Sequence, residues 1–241
     1  MKLLLVAVLA LAAVAVGIAH AAQSHTTLTV YAASSLTDVL PRIDGGERYS
    51  FGGSDTLAAQ IEQGAPADVF TAANLAIPRA LYAKHLVTKP RVLTRNALVL
   101  IVPRSNPAHI HHVSDLRRHG VKLVVAGATV PVGKYTLQVL AKLHLDVVLK
   151  NVVSHETDVR GVLGKVALGE ADAGFVYATD ARTARGKVTM IPIPARGRPS
   201  VAYGIAVVRS SKHRAAAAAY VAKLLAMPAQ RRLRVAGFLA R

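Results

Sequence analysis

The sequence has no cysteine and no tryptophan among its 241 residues. Without cysteine there is no disulfide scaffold, no thiolate metal centre, no catalytic thiol and no acylated cysteine to tether an exported chain to lipid. Aromatic residues are scarce, at 5%. A platform for single-stranded nucleic acid interleaves aromatic rings with positive charge, and the 30 Lys and Arg, against 13 Asp and Glu, have no such rings between them. The net charge of +17 therefore reads as a solvated basic surface whose field speeds capture of a small anion, with no nucleic-acid partner. What is abundant is apolar: 52% hydrophobic against 18% charged, enough for a sizeable core and too much for a disordered polymer.

The chain opens on Met1-Lys2, followed by an unbroken apolar run over residues 3–18 and the small-x-small triplet Ala19-His20-Ala21. That is the layout of a secretory signal peptide, and the run is shorter than the roughly 18–20 residues of a spanning helix. Cleavage after Ala21 is expected, leaving an exported protein with no later membrane span, in the periplasm or an equivalent extracytoplasmic space.

Beyond it, strand-like and helix-like runs alternate. Strands are expected over residues 27–32 (TLTVYA), 49–51, 68–72, 97–102 (ALVLIV), 122–126, 173–177 (AGFVY), 188–193 and 201–208 (VAYGIAVV). Helices are expected over residues 35–43, limited by Pro41, and over 56–63, 77–84, 133–143, 160–168 and the Ala-driven 212–226, with a basic helix after Pro228. This alternation, with continuously apolar strands, predicts an α/β protein with mainly parallel sheets covered on both faces.

Four turns share one grammar, in which a strand, then small or hydroxyl residues, then a helix start follow one another. They are Ala33-Ser34-Ser35-Leu36, Gly52-Gly53-Ser54-Asp55, Pro131-Val132-Gly133 and Asp158-Val159-Arg160-Gly161. Each leaves the first N–H groups of a helix without intrahelical partners, a favourable place for an anion. Ser35 and Ser54 add hydroxyl donors. Gly52 and Gly53 permit close approach or positive φ. Ordinary N-capping explains any one of the four taken alone.

The segments VYAASSLT, residues 30–37, and FGGSDTL, residues 51–57, are followed by QIEQGAPADVF, residues 60–70, then DVRG, residues 158–161, and GFVYATDA, residues 174–181. In this order they resemble the motifs of the periplasmic molybdate-binding proteins of ABC transporters, and the resemblance runs over residues 27–238. It implies the two-lobed periplasmic-binding-protein fold (type II), with two crossing strands as a hinge. Lobe 1 is then residues 27–97 plus 202–241, and lobe 2 is residues 98–201. The resemblance also implies a molybdate or tungstate ligand held between the lobes, an ABC permease as partner, a monomer, no cofactor and no catalytic residue. Molybdenum would be present only as the oxyanion. The site residues carried over are Ser35 and Ser54, each through hydroxyl and N–H, Val132 and Val159 through backbone N–H, and Tyr177 through its phenol. Each hydrogen bond to a charged group contributes roughly 1.5–3 kcal/mol, so about seven of them reach micromolar to nanomolar affinity without a cation, after association costs.

The sequence departs from the pattern between Leu40 and Tyr49, which is shorter than usual, and at Asp55, a carboxylate that either caps its helix or weakens dianion binding. Arg160 is either an anion clamp or the partner of a carboxylate such as Asp158 or Asp68. His109, His111 and His112 are a metal candidate without further ligands nearby. A secreted serine hydrolase using Ser35 or Ser54 is the alternative from another class, but Thr56 stands where the G-x-S-x-G elbow needs glycine. Sulfate is the alternative ligand. The basic stretch 209–241 reads as a solvated face, or as a contact for an acidic transporter surface or anionic lipid.

Overall fold

Strand β1 (Thr29–Ala33) runs parallel to β2 (Arg48–Gly52) on one side and β3 (Val69–Ala72) on the other. The computed structural model describes residues 26–241, so the signal-peptide expectation lies outside the described residues. Two further strands, β4 (Arg91–Asn96) and β10 (Val201–Val207), complete this first sheet in the order β2-β1-β3-β10-β4. The second sheet repeats the plan with β5 (Leu98–Pro103), β6 (Leu123–Ala126), β7 (Val152–Glu156), β8 (Ala173–Tyr177) and β9 (Val188–Pro192), in the order β7-β6-β8-β5-β9. Each sheet is mixed. Its βαβ half is parallel, and its other half pairs antiparallel through β10 or β5. The apolar strands predicted mainly parallel pairing, but burial on both faces produces the same apolar run in either direction. β3, β6, β8 and β10 are buried along their whole length.

The chain passes between sheets at Ala97, directly from β4 to β5, and again over residues 193–200, from β9 to β10. The helices flank the sheets: α1 (Leu40–Ile43), α2 (Ser54–Glu62), α3 (Ala76–Ala83), α7 (Arg214–Leu225) and α8 (Met227–Val235) on the first, and α4 (Pro131–Lys142), α5 (Val159–Ala167) and α6 (Ala178–Thr183) on the second. β4, β7 and α6 escape sequence reading. RVLTRN and VVSHE mix polar and apolar residues, and α6 continues directly from β8 without a turn signal. The expected helix over 35–43 is instead a 3-10 turn at Ser34–Leu36 followed by α1. Pro41 begins α1 rather than limiting it, because a residue without an N–H fits the first turn of a helix.

The parallel halves place six strand ends together. β1, β2 and β3 from one sheet and β6, β7 and β8 from the other all run toward the space between the sheets and pass there into helix starts. Gly133 lets α4 approach: a Cβ on it would press into the Gly127 carbonyl and lie 2.6 Å from the Ala126 carbonyl oxygen. Gly133→Ala should therefore cost about 1–3 kcal/mol of stability, read as a lower urea midpoint by circular dichroism. An unchanged midpoint would show that α4 can retreat without penalty.

Candidate functional site

Where the six strand ends meet there is a small cavity of about 200 Å³. Ser35, Ser54, Val132, Val159 and Tyr177 all line it. Ala33, Ser34, Gly52, Gly53 and Ala73 complete the first-sheet wall, with Val130, Pro131 and Asp158 on the other. The lining holds no Lys, Arg or His, and its one ionisable acid is Asp158.

Each donor is prepared by its neighbours. Ser54 is buried in the first turn of α2, and its Oγ accepts the Ala73 N–H at 3.1 Å, which leaves its own proton to be donated. Asp158 is the N-cap of α5, and its carboxylate takes the N–H groups of Arg160 at 2.6 Å and Gly161 at 3.2 Å. The Val159 N–H at the first helical position is thus the one the cap does not claim. Val132 follows Pro131 in the first turn of α4, where N–H groups have no intrahelical acceptor. Tyr177 is 1% exposed, and its phenolic oxygen is buried without a hydrogen-bond partner. Burial raises its pKa well above the ordinary tyrosine value, so it stays a neutral donor. Its ring is set edge-on between Tyr135, at 6.4 Å, and Tyr203, at 5.7 Å.

Ser35 is organised by a chain of hydrogen bonds that sequence reading missed. Ala97 N–H donates to Asn96 Oδ1 at 2.9 Å, which fixes the amide orientation. Asn96 Nδ2 donates to Thr179 Oγ1 at 2.8 Å and to the Tyr203 hydroxyl at 3.3 Å. Tyr203 lies 2.8 Å from Ser35 Oγ. With the Tyr203 oxygen accepting from Asn96, its proton is free to go to Ser35, an arrangement that leaves the Ser35 proton for the cavity. Asn96 and Tyr203 stand at the two crossings between the sheets. The register shift between Tyr203 and Gly204 re-aims the strand there. The available signals were an amide directly before the apolar run ALVLIV and a hydroxyl inside VAYGIAVV.

Several expectations are corrected. Gly52 and Gly53 are not among the residues of positive φ; Gly53 has φ −59°. Its smallness serves the approach of the two walls, because a Cβ there would strike the Thr157 carbonyl. Asp55 is not part of the cavity lining. Its Oδ2 accepts from Thr129 Oγ1 at 2.5 Å, a bond from one wall to the other. Arg160 also stands outside the cavity, and the carboxylates beside its guanidinium are neither Asp158, which takes only its backbone N–H, nor Asp68. It pairs with Asp38 across the walls and, through Nε, with Asp180 Oδ1 at 2.9 Å. Asp68 instead accepts from the Thr29 N–H and from Ser211. The backbone N–H groups of His111 and His112 are tied to Asp115, and among the described residues no group of three or more metal-ligating side chains is assembled.

Two α/β lobes with a small donor-lined cavity between them define a protein that captures a ligand by enclosing it. The chain belongs to the bacterial extracellular solute-binding protein family, whose model matches residues 28–239. It is 34% identical to the molybdate-binding protein ModA of Mycobacterium tuberculosis over 230 residues, covering 90% of this chain and 85% of that protein. It is 33% identical over 209 residues to ModA of Haemophilus influenzae, covering 80% and 82%. The solved structure of the periplasmic molybdate-binding protein of Azotobacter vinelandii matches with a TM-score of 0.79, covering 89% of this chain and 99% of that one. At 21% identity that likeness concerns the fold alone.

Asp180 is fully buried, and burial pushes its pKa up from 3.8 to about 7 against the opposing pull of Arg160. Between those values the folded protein holds a proton that the unfolded chain has released. Asp180 therefore makes stability fall as pH rises through that interval, by up to about 1.4 kcal/mol per pH unit. Asp180→Asn should remove that slope, so the stability of the variant relative to the parent should rise steadily between about pH 4 and pH 7. Thermal melts across the interval read this directly, and parallel curves would refute it.

Proposed function

We propose that this protein captures molybdate, or the closely similar tungstate, in the cavity between its lobes and delivers it to an ABC permease. The ligand is held by Ser35, Ser54, Val132, Val159 and Tyr177, with no cofactor and no chemical step. Export, with the leader removed after Ala21, belongs to this reading. So do a monomer and a lobe division near residues 97 and 201, with the crossings as hinge. A ligand touching both lobes biases that hinge toward closure.

The observation that carries the proposal is the Tyr177 hydroxyl, buried on the cavity wall with no partner. A buried polar group left unpaired costs about 1–3 kcal/mol, and an oxyanion recovers it. The neighbouring Ser54 hydroxyl and the N–H groups of Val132 and Val159 are placed to donate, and the Ser54 oxygen already accepts the Ala73 N–H. The Asp158 carboxylate is engaged by two N–H groups. A fully deprotonated tetrahedral dianion only accepts, so it suits such a cage. Hydrogen phosphate carries a proton, which a shell made mainly of donors opposes. The relatives named as molybdate-binding proteins support the choice within that class. A hydrolase would need a base beside its serine, whereas Ser54 is bonded to a backbone N–H and Ser35 to a tyrosine.

Isothermal titration with molybdate, tungstate, sulfate and phosphate tests the proposal. Molybdate and tungstate should bind tightly and phosphate not at all. Tight sulfate binding without molybdate heat would reassign the ligand. Ser54→Ala should weaken molybdate about 10- to 150-fold, from one lost bond to a charged group. Tyr203→Phe should weaken it about 3- to 10-fold and also narrow the gap to phosphate, because the Ser35 hydroxyl loses the partner that orients its proton. A loss of affinity with the gap unchanged would make Tyr203 a packing residue only.

A further inference from the structure

On the other side of Ser35 lies a much larger groove, with an empty volume of about 1530 Å³, also formed by both lobes. Six arginines line it: Arg42, Arg160, Arg182, Arg185, Arg231 and Arg232. Asp38 is the one acidic side chain in the lining. Among the described residues Arg160 alone of the six lies within ion-pair distance of a carboxylate, and it is matched by both Asp38 and Asp180. The other five have no carboxylate within ion-pair distance among the described residues.

These arginines are partly built in. Arg232 donates from Nη1 to the Arg42 carbonyl, which ties α8 to α1. Arg182, on α6, reaches across to the C-terminal segment of the first lobe and lies on Gly237. A Cβ there would sit 2.8 Å from the Arg182 Cζ, and Gly237 holds φ +100°. The groove thus has arginines on both banks, with Val39 and Phe238 among the apolar residues of its lining.

We infer that this groove is a second anion site, separate from the small cavity, and that it takes a multiply phosphorylated anion. Guanidinium groups grip phosphate oxygens in pairs and keep their charge at every physiological pH. A short chain of phosphates, or an organic anion with several phosphate groups, spans from Arg42, Arg231 and Arg232 to Arg182 and Arg185. It relieves the mutual repulsion of five unpaired cations as it binds. The small cavity has the opposite design, since it excludes cations and admits one ion.

Calorimetric titration of the protein with sodium tripolyphosphate, with no other oxyanion present, tests this. Saturable one-to-one binding at low ionic strength, weakening steeply with salt, is expected. The double variant Arg182→Gln/Arg231→Gln should lose affinity about 10- to 100-fold, two charge-assisted contacts having gone. The variant Arg79→Gln/Lys89→Gln, which removes the same charge elsewhere on the surface, should bind as the parent does. Equal loss in both variants would reduce the effect to net charge and overturn the site. So would the absence of saturable heat, or binding to phosphatidylglycerol vesicles without binding to tripolyphosphate. Titrating the double variant with molybdate reports folding and the small cavity separately, because neither arginine lines that cavity. The two assignments can thus fail independently.

Discussion

A dianion can be enclosed in protein without a counter-cation only if every group that faces it donates a hydrogen bond, and the rest of this structure follows from that constraint. Backbone N–H groups are the most economical donors, and they are free only in the first turn of a helix. Two mixed sheets whose parallel halves end at a common edge supply several such turns at once. The side chains then have one task, which is to use up acceptors. The Ala73 N–H donates to the Ser54 oxygen, the Tyr203 hydroxyl lies 2.8 Å from the Ser35 oxygen, and the Arg160 and Gly161 N–H groups donate to Asp158 Oδ1. The carboxylate in the lining is turned to its own helix, with Oδ1 taken by both N–H groups.

The same constraint makes the two walls interdependent. No single loop could surround an ion, so each lobe brings part of the shell, and the lobes must meet closely. Gly53 allows the meeting, since any side chain there would strike the Thr157 carbonyl. Asp55 with Thr129, and Asp38 with Arg160, join the walls on either side of the cavity. These contacts are partly exposed, and exposed ion pairs contribute little. They are thus suited to trimming the balance between separate and joined walls, not to locking it. The Asn96–Tyr203–Ser35 chain adds a different kind of link. It ties a cavity donor to residues at both crossings, so a change in crossing geometry changes where the Ser35 proton points.

Much of this was legible in the sequence. The turns at Ser35, Ser54, Val132 and Val159 announce themselves by small and hydroxyl residues before helical runs, because N-terminal turns need those residues for local reasons. Their convergence was not visible locally and entered through the ordered resemblance. Arg160 shows the limit well. Its partner Asp38 is distant in sequence and Asp180 lies in an unsignalled helix, whereas the acids nearer to hand, Asp158 and Asp68, are spent on backbone N–H groups. Pairing depends on which carboxylates have already been used, and that is settled by tertiary structure. The direction of pairing in the sheets was hidden for a related reason: a strand buried on both faces has the same composition whichever way its neighbours run.

The net charge of +17 invites the idea that positive charge binds the captured ion, and the structure separates the two. The cavity lining is free of cations, while a cluster of arginines lies just beyond Ser35. A cation inside the cage would bind anions by charge with little regard for protonation state, since Coulomb attraction is not directional. Neutral donors at fixed positions discriminate by the number and direction of acceptors. Beyond the cage, positive charge still raises the local concentration of anions and speeds their arrival. Selection and attraction are thus assigned to different groups, and each can be tuned without spoiling the other. An arginine moved from the groove into the cavity would raise attraction there and remove the basis for choosing one ion over another.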